Sequence, residues 1–317
     1  MMATGRDNHI LQDLASLFKL RLSLSVAAAA AAGLVLAAGA LDRRAGILFV
    51  CMLSIAAGAG CWNNWQDAAL DAGMRRTQNR PLPAGRISRP HALVLACALL
   101  LAGGLGLVAV PFPLTAAITA GIAVLLYGAV YTPLKRHTSL ALLPGVVCGS
   151  LPPLIGWLAG GGCITEPAAW SLMACFGLWQ PPHFWLVVLA HPDDYCPHAC
   201  LPRPGHSPGR TDSKSATATR TQQTPSMLDH FSRPQLTRIL FTWIAMLGLS
   251  LLSLPLSLGI TSPVLYALEL ANALLLIGAF GWLLPRQQDY RPLFALLNAC
   301  VFTGVLLVVV TQLWPRV

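Results

Sequence analysis

The apolar run GILFVCMLSIAAGAG, residues 46–60, leads almost directly into the polar segment NNWQDAALDAGMRRTQNRP, residues 63–81. A membrane span needs about 20 mainly apolar residues, and this run with its flanks supplies them. The segment that follows carries acids, amides and arginines within a few helical turns. A membrane-length helix that ends in so many polar groups indicates a functional site at the membrane surface.

The composition of the chain extends this interpretation to its whole length. Of 317 residues, 55% are hydrophobic and only 10% are charged, whereas a soluble domain has about 25% charged residues. The fold class is therefore all-α, a polytopic membrane helix bundle forming a single integral-membrane domain over 1–317. Nine spans are predicted, at roughly 22–41, 46–64, 92–110, 114–131, 139–160, 168–190, 236–258, 263–284 and 293–314.

Lysine and arginine predict the orientation of these spans. With the N-terminus in the cytoplasm, 18 of the 21 basic residues fall on the cytoplasmic side, as the positive-inside rule requires. This asymmetry accounts for the net charge of +9 through contact with the lipid bilayer, without a nucleic-acid partner. The first 20 residues do not have the pattern of a secretory signal or an organellar transit peptide, which favours a bacterial cytoplasmic (inner) membrane.

The segment 191–235 differs from the rest of the chain. It is rich in Ser, Thr, Gln and Pro and has no apolar period, which predicts a flexible cytoplasmic loop. Cys196, His198 and Cys200 lie within it, but their spacing matches no common zinc site. The nine cysteines are odd in number and have no framework spacing, which argues against a disulfide scaffold.

Asn63, Asp67 and Asp71 are spaced four residues apart, so on a helix they share one face. Two carboxylates and an amide oxygen are ligands that suit Mg²⁺, which often shares its coordination with substrate phosphates. Arg75 continues the row. The spacing alone is equally compatible with a solvated helix end that contains i, i+4 ion pairs, such as Asp71 with Arg75.

Basic and acidic residues elsewhere are predicted to reach the same membrane face. Arginine suits bidentate phosphate contact, and two Mg²⁺ ions held by acids would complete a diphosphate site. The acids after the sixth span could instead merely begin a loop. The candidate residues are Arg75, Arg76 and Arg80 after the second span, Lys135 and Arg136 after the fourth, and Asp193 and Asp194 after the sixth.

His183 lies within the sixth predicted span, in the stretch LWQPPHFWLVV, residues 178–188. An ionisable residue in a span is costly and is a functional candidate by default. Its imidazole could ligate a metal or haem iron, or act as a base. The alternative is a buried histidine bonded to a backbone carbonyl freed by Pro181 or Pro182.

Several stretches accompany the row of Asn63, Asp67 and Asp71, which has the form N-x-x-x-D-x-x-x-D. They are RTQNRPLPAGRIS (76–88), YTPLKRHT (131–138), LPPLIGW (151–157), WQPPHFW (179–185) and DDY (193–195). With these motifs the chain resembles the UbiA prenyltransferase superfamily, and the run from WQPPHFW to DDY resembles its haem O synthase branch. The triplet Lys19-Leu20-Arg21 stands where that branch usually has K-P-R.

The resemblance implies a UbiA-like bundle that transfers farnesyl from farnesyl diphosphate to a vinyl group of haem B, with addition of water. It implies two Mg²⁺ ions, one on Asp67 and Asp71 with Asn63, the other on Asp193 and Asp194. Haem B would be the acceptor, and a haem A synthase or terminal oxidase assembly factors would be partners. The placement of His183 within a span, between Pro182 and Phe184, favours it as the ligand of the haem iron. The alternatives are a UbiA-type enzyme acting on a quinone precursor or chlorin, and a non-catalytic haem-handling assembly protein.

Overall fold

The computed structural model describes residues 3–74, 76–190, 232–286 and 289–314, and in these residues the secondary structure is helical throughout. A π-helical turn, Leu126–Tyr131, and a short turn, Thr132–Leu134, continue α5. The helices are α1 Ala3–Leu17, α2 Leu20–Ala38, α3 Arg43–Gly73, α4 Arg89–Ala109, α5 Leu114–Leu125, α6 Leu142–Ala159, α7 Pro167–Ala190, α8 Arg233–Ser257, α9 Pro263–Leu283 and α10 Arg291–Leu313.

The all-α membrane fold is confirmed. Within the described ranges nine helices, α2 to α10, are long and apolar enough to cross a membrane when α5 is counted together with its continuation to Leu134. Helix α1 was not predicted, because its sequence has no compact apolar run. It is attached at its C-terminal end, where the Asn64 amide donates to the carbonyls of Ser16 and Leu17, and by a bidentate ion pair between Arg86 and Asp13.

The second predicted span was too short. Helix α3 has 31 residues and ends at Gly73 rather than near residue 64. At 1.5 Å per residue it is about 46 Å long, which exceeds the roughly 30 Å of a bilayer's hydrocarbon core. Its last turns therefore extend past the apolar layer, and Asp67 and Asp71 remain helical.

Other boundaries were displaced by local capping signals. Helix α2 ends before Gly39, which adopts the left-handed conformation (φ 65°) and donates its N–H to the Val35 carbonyl. The predicted loop 191–235 is wrong at its end, since α8 begins at Arg233 after a capping box formed by Ser232 and Gln235. The rest of that loop, including Cys196, His198 and Cys200, lies outside the described residues.

Small residues allow close crossing of α2 with α6, and of α3 with α4. A Cβ atom on Gly33 of α2 would overlap the Pro153 carbonyl of α6, and one on Gly156 of α6 would overlap the Ala30 carbonyl of α2. At these two glycines the backbones of α2 and α6 are therefore in direct contact. Because α2 also packs on α3, these contacts fix the helix that carries the acid row.

The C-terminal helices form a second packed group, in which α8 packs on α7 and α9, and α10 packs on α9 and α7. Their shared core is apolar, apart from a few polar side chains. One of these is Glu269 of α9, which is 0% exposed. Exposed leucines, valines and isoleucines cover the outer surfaces of the spans, as expected for helices that face lipid.

Candidate active site

The row predicted on α3 faces the interior of the bundle. Asn63, Asp67 and Asp71 are 1%, 5% and 6% exposed, although they lie in the polar last turns of a long helix. Burying charged carboxylates is costly unless they are paired. The solvated-helix-end interpretation is therefore wrong for these three side chains, and their partners identify the site.

Asp67 is paired with the two basic residues that follow α5. Lys135 forms an ion pair with one carboxylate oxygen, and Arg136 lies 3.3 Å from the other. Arg136 also donates to the Gln66 carbonyl at 2.7 Å. The structure thus brings together three of the predicted site residues, from segments almost 70 positions apart.

Asp71 is paired with Arg80, which donates to its carboxylate at 2.7 Å. The chain reverses between them, and the Thr77 hydroxyl donates to the Asp71 carbonyl at 3.0 Å. Arg76 lies on the exposed side of this turn. Arg75 lies outside the described residues, so the Asp71–Arg75 pair stays a prediction.

Asn63 links the acid row to the π-helical turn of α5. Its amide nitrogen donates to the Thr132 hydroxyl at 2.8 Å, and that hydroxyl donates to the Tyr127 carbonyl at 2.8 Å. This chain of hydrogen bonds fixes the amide so that its oxygen points away from Thr132. That oxygen accepts a hydrogen bond from Lys19.

Lys19 is a member of the site that was not predicted as a site residue, although it begins the triplet that stands where the resembling branch usually has K-P-R. It has a left-handed backbone (φ 47°), and it lies against Gly60 of α3, where an added Cβ would come 3.2 Å from the Phe18 carbonyl oxygen. Desolvation lowers the pKa of Lys19 to about 8, and the positive charge of Arg80 acts in the same direction. The sequence signals available were that triplet and the position of the lysine directly before an apolar run.

These seven residues, Lys19, Asn63, Asp67, Asp71, Arg80, Lys135 and Arg136, are called the acid–cation cluster below. Four cations surround two carboxylates, so the cluster has a positive balance suited to a polyanion such as a diphosphate. Within the described part of the chain no three His, Cys, Asp or Glu side chains are grouped as metal ligands. Asp193 and Asp194 lie outside that part.

A second polar pair lies between α7 and α10. His183 Nδ1 is 3.1 Å from the Asn298 side-chain oxygen, and the imidazole packs against Trp179 and Phe294, with ring centroids 4.7 and 4.6 Å away. The alternative of a bond to a backbone carbonyl beside the prolines is wrong for Nδ1. His183 lies seven residues before the end of α7, about 10 Å along the helix.

The aromatic neighbours of His183 point in different directions. Trp179 contacts His183 and donates its indole N–H to the Asn298 oxygen at 3.2 Å. Trp185 is buried in the bundle, whereas Phe184 is exposed on its surface. Trp179, Phe184 and Trp185 therefore do not all face one cavity.

The fold and the acid–cation cluster together define a polytopic helical membrane protein with a buried site for a polyanionic substrate. The sequence model of the UbiA prenyltransferase family matches residues 24–195. That match covers more than half of the chain, and the chain belongs to this family.

The relatives and solved structures agree with this assignment. The chain is similar to the protoheme IX farnesyltransferase of Geobacter sulfurreducens, with 44% identity over 187 residues, 58% of this chain and 67% of that one. It spans 62% of the length of two further relatives with the same name.

Two solved structures have the same fold. One is described as a digeranylgeranylglyceryl phosphate synthase and matches with a TM-score of 0.70 at 16% identity, over 96% of this chain and 98% of that one. The other, a UbiA homologue from Archaeoglobus fulgidus bound to DMAPP and Mg²⁺, has a TM-score of 0.60 at 13% identity, over 93% and 99%. At such identities the likeness concerns the fold alone.

Proposed function

We propose that the protein transfers the farnesyl group of farnesyl diphosphate to a vinyl group of protohaem IX (haem B), giving haem O and pyrophosphate. The observation that carries this proposal is the acid–cation cluster, in which buried carboxylates and basic side chains from α3, α5 and the start of α2 meet. A prenyl diphosphate needs both kinds of group. The relatives named protoheme IX farnesyltransferase support haem as the acceptor.

The basic residues of the cluster are proposed to bind the diphosphate. Lys135, Arg136 and Arg80 now neutralise Asp67 and Asp71, and they are long enough to transfer their hydrogen bonds to phosphate oxygens. Arg76, beside the same turn, would add a further positive charge, and Arg75 belongs to the same proposal. Such donors stabilise the charge that develops on the leaving group, and in many enzymes this stabilisation contributes most of the rate enhancement.

The donor set of the row fits a hard divalent cation. The side-chain oxygens of Asn63, Asp67 and Asp71 lie on one helix face of buried residues, and each accepts a hydrogen bond from a cationic side chain. These three would hold one Mg²⁺, and Asp193 with Asp194 would hold a second. Bound Mg²⁺ supplies neutralisation of the diphosphate charge.

The proposed reaction balances with water as the third reactant. The bond between C1 of the farnesyl group and the diphosphate oxygen breaks, and pyrophosphate leaves with the electron pair. The haem vinyl group forms a bond to C1, water adds to the resulting cation, and a proton is released. The allylic cation must be kept from early capture by water until the vinyl group has reacted, which a closed, apolar acceptor site would achieve.

His183 is proposed to orient the acceptor. Its ring is fixed between Trp179 and Phe294, and a nitrogen ligand to the haem iron would direct one vinyl group toward the diphosphate site. His183→Ala should therefore weaken haem binding and haem O formation while sparing affinity for farnesyl diphosphate. A haem titration followed by absorption separates this role from a purely structural one.

The excess of lysine and arginine on one side of the predicted spans supports a placement in a bacterial inner membrane with the N-terminus in the cytoplasm. The acid–cation cluster would then face the cytoplasm, where soluble prenyl diphosphates are available. A haem A synthase or terminal oxidase assembly factors are proposed as partners that receive the product. Reporter fusions after Arg76 and Gly162 should give cytoplasmic and non-cytoplasmic signals, and a cytoplasmic signal at Gly162 contradicts this orientation.

The proposal is tested by expressing the chain in a bacterial host that lacks haem O. Chromatography of the extracted haems should show haem O with the wild-type chain and haem B alone with Asp67→Asn. Haem B alone with a wild-type chain that is present and folded in the membrane would refute the proposal. Prenylation of a quinone precursor or chlorin in its place would assign the site to another UbiA-type reaction.

A further inference from the structure

Asn298 of α10 is the hydrogen-bond partner of His183, and it lies beyond the segment that matches the family. Its side-chain oxygen accepts from the Trp179 indole N–H at 3.2 Å and lies 3.1 Å from His183 Nδ1. Its side-chain nitrogen donates to the Phe294 carbonyl at 2.7 Å. The amide therefore connects two rings of α7, those of Trp179 and His183, to the backbone of α10.

These contacts settle which way the amide points. An indole N–H only donates, and a backbone carbonyl only accepts. Rotating the Asn298 amide by half a turn would place its NH₂ group against the Trp179 N–H and its oxygen against the Phe294 carbonyl. Both contacts would then be repulsive, so the oxygen faces His183.

The orientation of the amide determines the tautomer of the imidazole. Because the Asn298 oxygen only accepts, His183 Nδ1 must carry the hydrogen that lies between them. In the neutral ring the lone pair is then on Nε2, which has no hydrogen bond to any other described residue. Trp179 and Phe294 pack on the ring at 4.7 and 4.6 Å, which restricts its rotation.

We propose that Asn298 is a positioning residue that holds His183 as the Nδ1–H tautomer and presents Nε2 to the iron of a metalloporphyrin. This inference rests on the proposed haem-farnesylating function and names the group that prepares the acceptor site. Histidine ligands of metals commonly donate their second N–H to an oxygen, which fixes the ring and raises its basicity. The C-terminal helices thereby contribute to the acceptor site.

The test is a titration of the purified, full-length protein with ferric and ferrous haem B, read by absorption. Asn298→Ala leaves the N–H groups of Trp179 and His183 without their acceptor and frees the imidazole to change tautomer. Loss of such an outer partner typically costs about 10- to 100-fold in metal affinity. Haem affinity should fall by about that factor, while affinity for farnesyl diphosphate is unchanged.

Two further variants separate positioning from general structural support. Asn298→Asp keeps an oxygen acceptor for Nδ1–H but loses the N–H that the Phe294 carbonyl accepts. It should therefore bind haem more tightly than Asn298→Ala and shift the absorption bands, because an anionic partner makes the imidazole a stronger donor. Asn272→Ala removes a comparable half-buried amide of α9, which donates to the Cys300 carbonyl at 2.9 Å. It should leave haem affinity and the spectrum unchanged.

The outcomes distinguish this inference from the proposed function. Wild-type haem affinity and spectrum in Asn298→Ala, or a loss equal to that of Asn272→Ala, would overturn the positioning role. If Asn298→Ala does not fold, an unshifted spectrum in Asn298→Asp would overturn it as well. Unchanged haem binding in His183→Ala, with haem O still formed by the wild type, would remove the ligand role and leave the proposed function intact.

Discussion

Two regions of the bundle bury acidic side chains, and they differ in what surrounds the charge. Asp67 and Asp71 of α3 each contact at least one basic side chain. Glu269 of α9 is at least as buried, but neither of its oxygens has a hydrogen bond of ordinary geometry among the described residues. It packs beside Gly304 and the Asn272 amide. Burial of an acid therefore does not identify an active site in this protein. What distinguishes the proposed site is that its acids contact basic side chains, which could move to a bound diphosphate.

The largest expected effect on activity follows from removing either of the two acids that are paired with basic side chains. Asp67→Ala or Asp71→Ala should lower farnesyl transfer by about 100-fold or more, comparable to losing one group that stabilises developing charge. Turnover per folded molecule in membranes is the measurement. Asp42→Ala, at the start of α3 on the opposite side of the bundle, is the matched control. Near-normal turnover in both cluster variants at ordinary Mg²⁺ concentration would refute the metal and diphosphate role.

A smaller effect is expected when one of the cations is removed. Lys135→Ala should lower kcat/KM for farnesyl diphosphate about tenfold or more, since a charged hydrogen bond contributes roughly 1.5–3 kcal/mol. Arg136 still contacts Asp67 in this variant, so activity is reduced rather than lost. Arg44→Ala removes an exposed cation outside the cluster and should change nothing; equal losses in the two variants would contradict the assignment.

Substitutions near Glu269 are expected to lower the stability of the protein rather than its catalytic activity. A Cβ on Gly304 would lie 3.1 Å from Glu269 Oε2 and 3.0 Å from the Leu251 side chain, so Gly304→Ala overpacks the core. The free energy of unfolding should fall by about 1–3 kcal/mol. Thermal unfolding in detergent measures it, with Gly278→Ala, which meets nothing within 4 Å, as the control. A large loss of activity at unchanged stability would be inconsistent with this account.

The smallest effect is expected for Glu269→Gln, which preserves the shape of the side chain. Turnover should change by less than about twofold, because no contact among the described residues links Glu269 to the acid–cation cluster and the variant leaves that cluster intact. Steady-state assays of the variant and the wild type in the same lipid measure it. A tenfold loss of turnover would mean that Glu269 also serves the reaction. The distinction between an acid with basic partners and an acid without them would then be wrong.

Sequence reasoning predicted the parts of the structure that depend on local pattern. Apolar runs of membrane length gave the nine spans, and the spacing of Asn63, Asp67 and Asp71 gave their common face. Lys135 and Arg136 were expected at the same end of the bundle, because consecutive spans alternate in direction. These inferences need only helix periodicity and charge.

The contacts between remote segments were not predictable from one sequence. Lys19 contacts Asn63, 44 positions away, and His183 contacts Asn298, 115 positions away. Whether residues so far apart in sequence meet depends on which helices pack together. A signal existed for Asn298, since an amide within an apolar span is a functional candidate. For Lys19 the signals were its position directly before the first span and its place in the triplet that corresponds to K-P-R.

The central claim is that the acid–cation cluster ionises farnesyl diphosphate for attack by haem B, and product analysis in a defined membrane tests it most directly. The wild-type protein in lipid nanodiscs is incubated with Mg²⁺, farnesyl diphosphate and haem B, and the extracted haem is identified by mass. The account predicts a haem that has gained one farnesyl group and one hydroxyl, with an equal amount of pyrophosphate, and neither product with Asp71→Asn. Unmodified haem B from a folded, diphosphate-binding wild-type protein would contradict it.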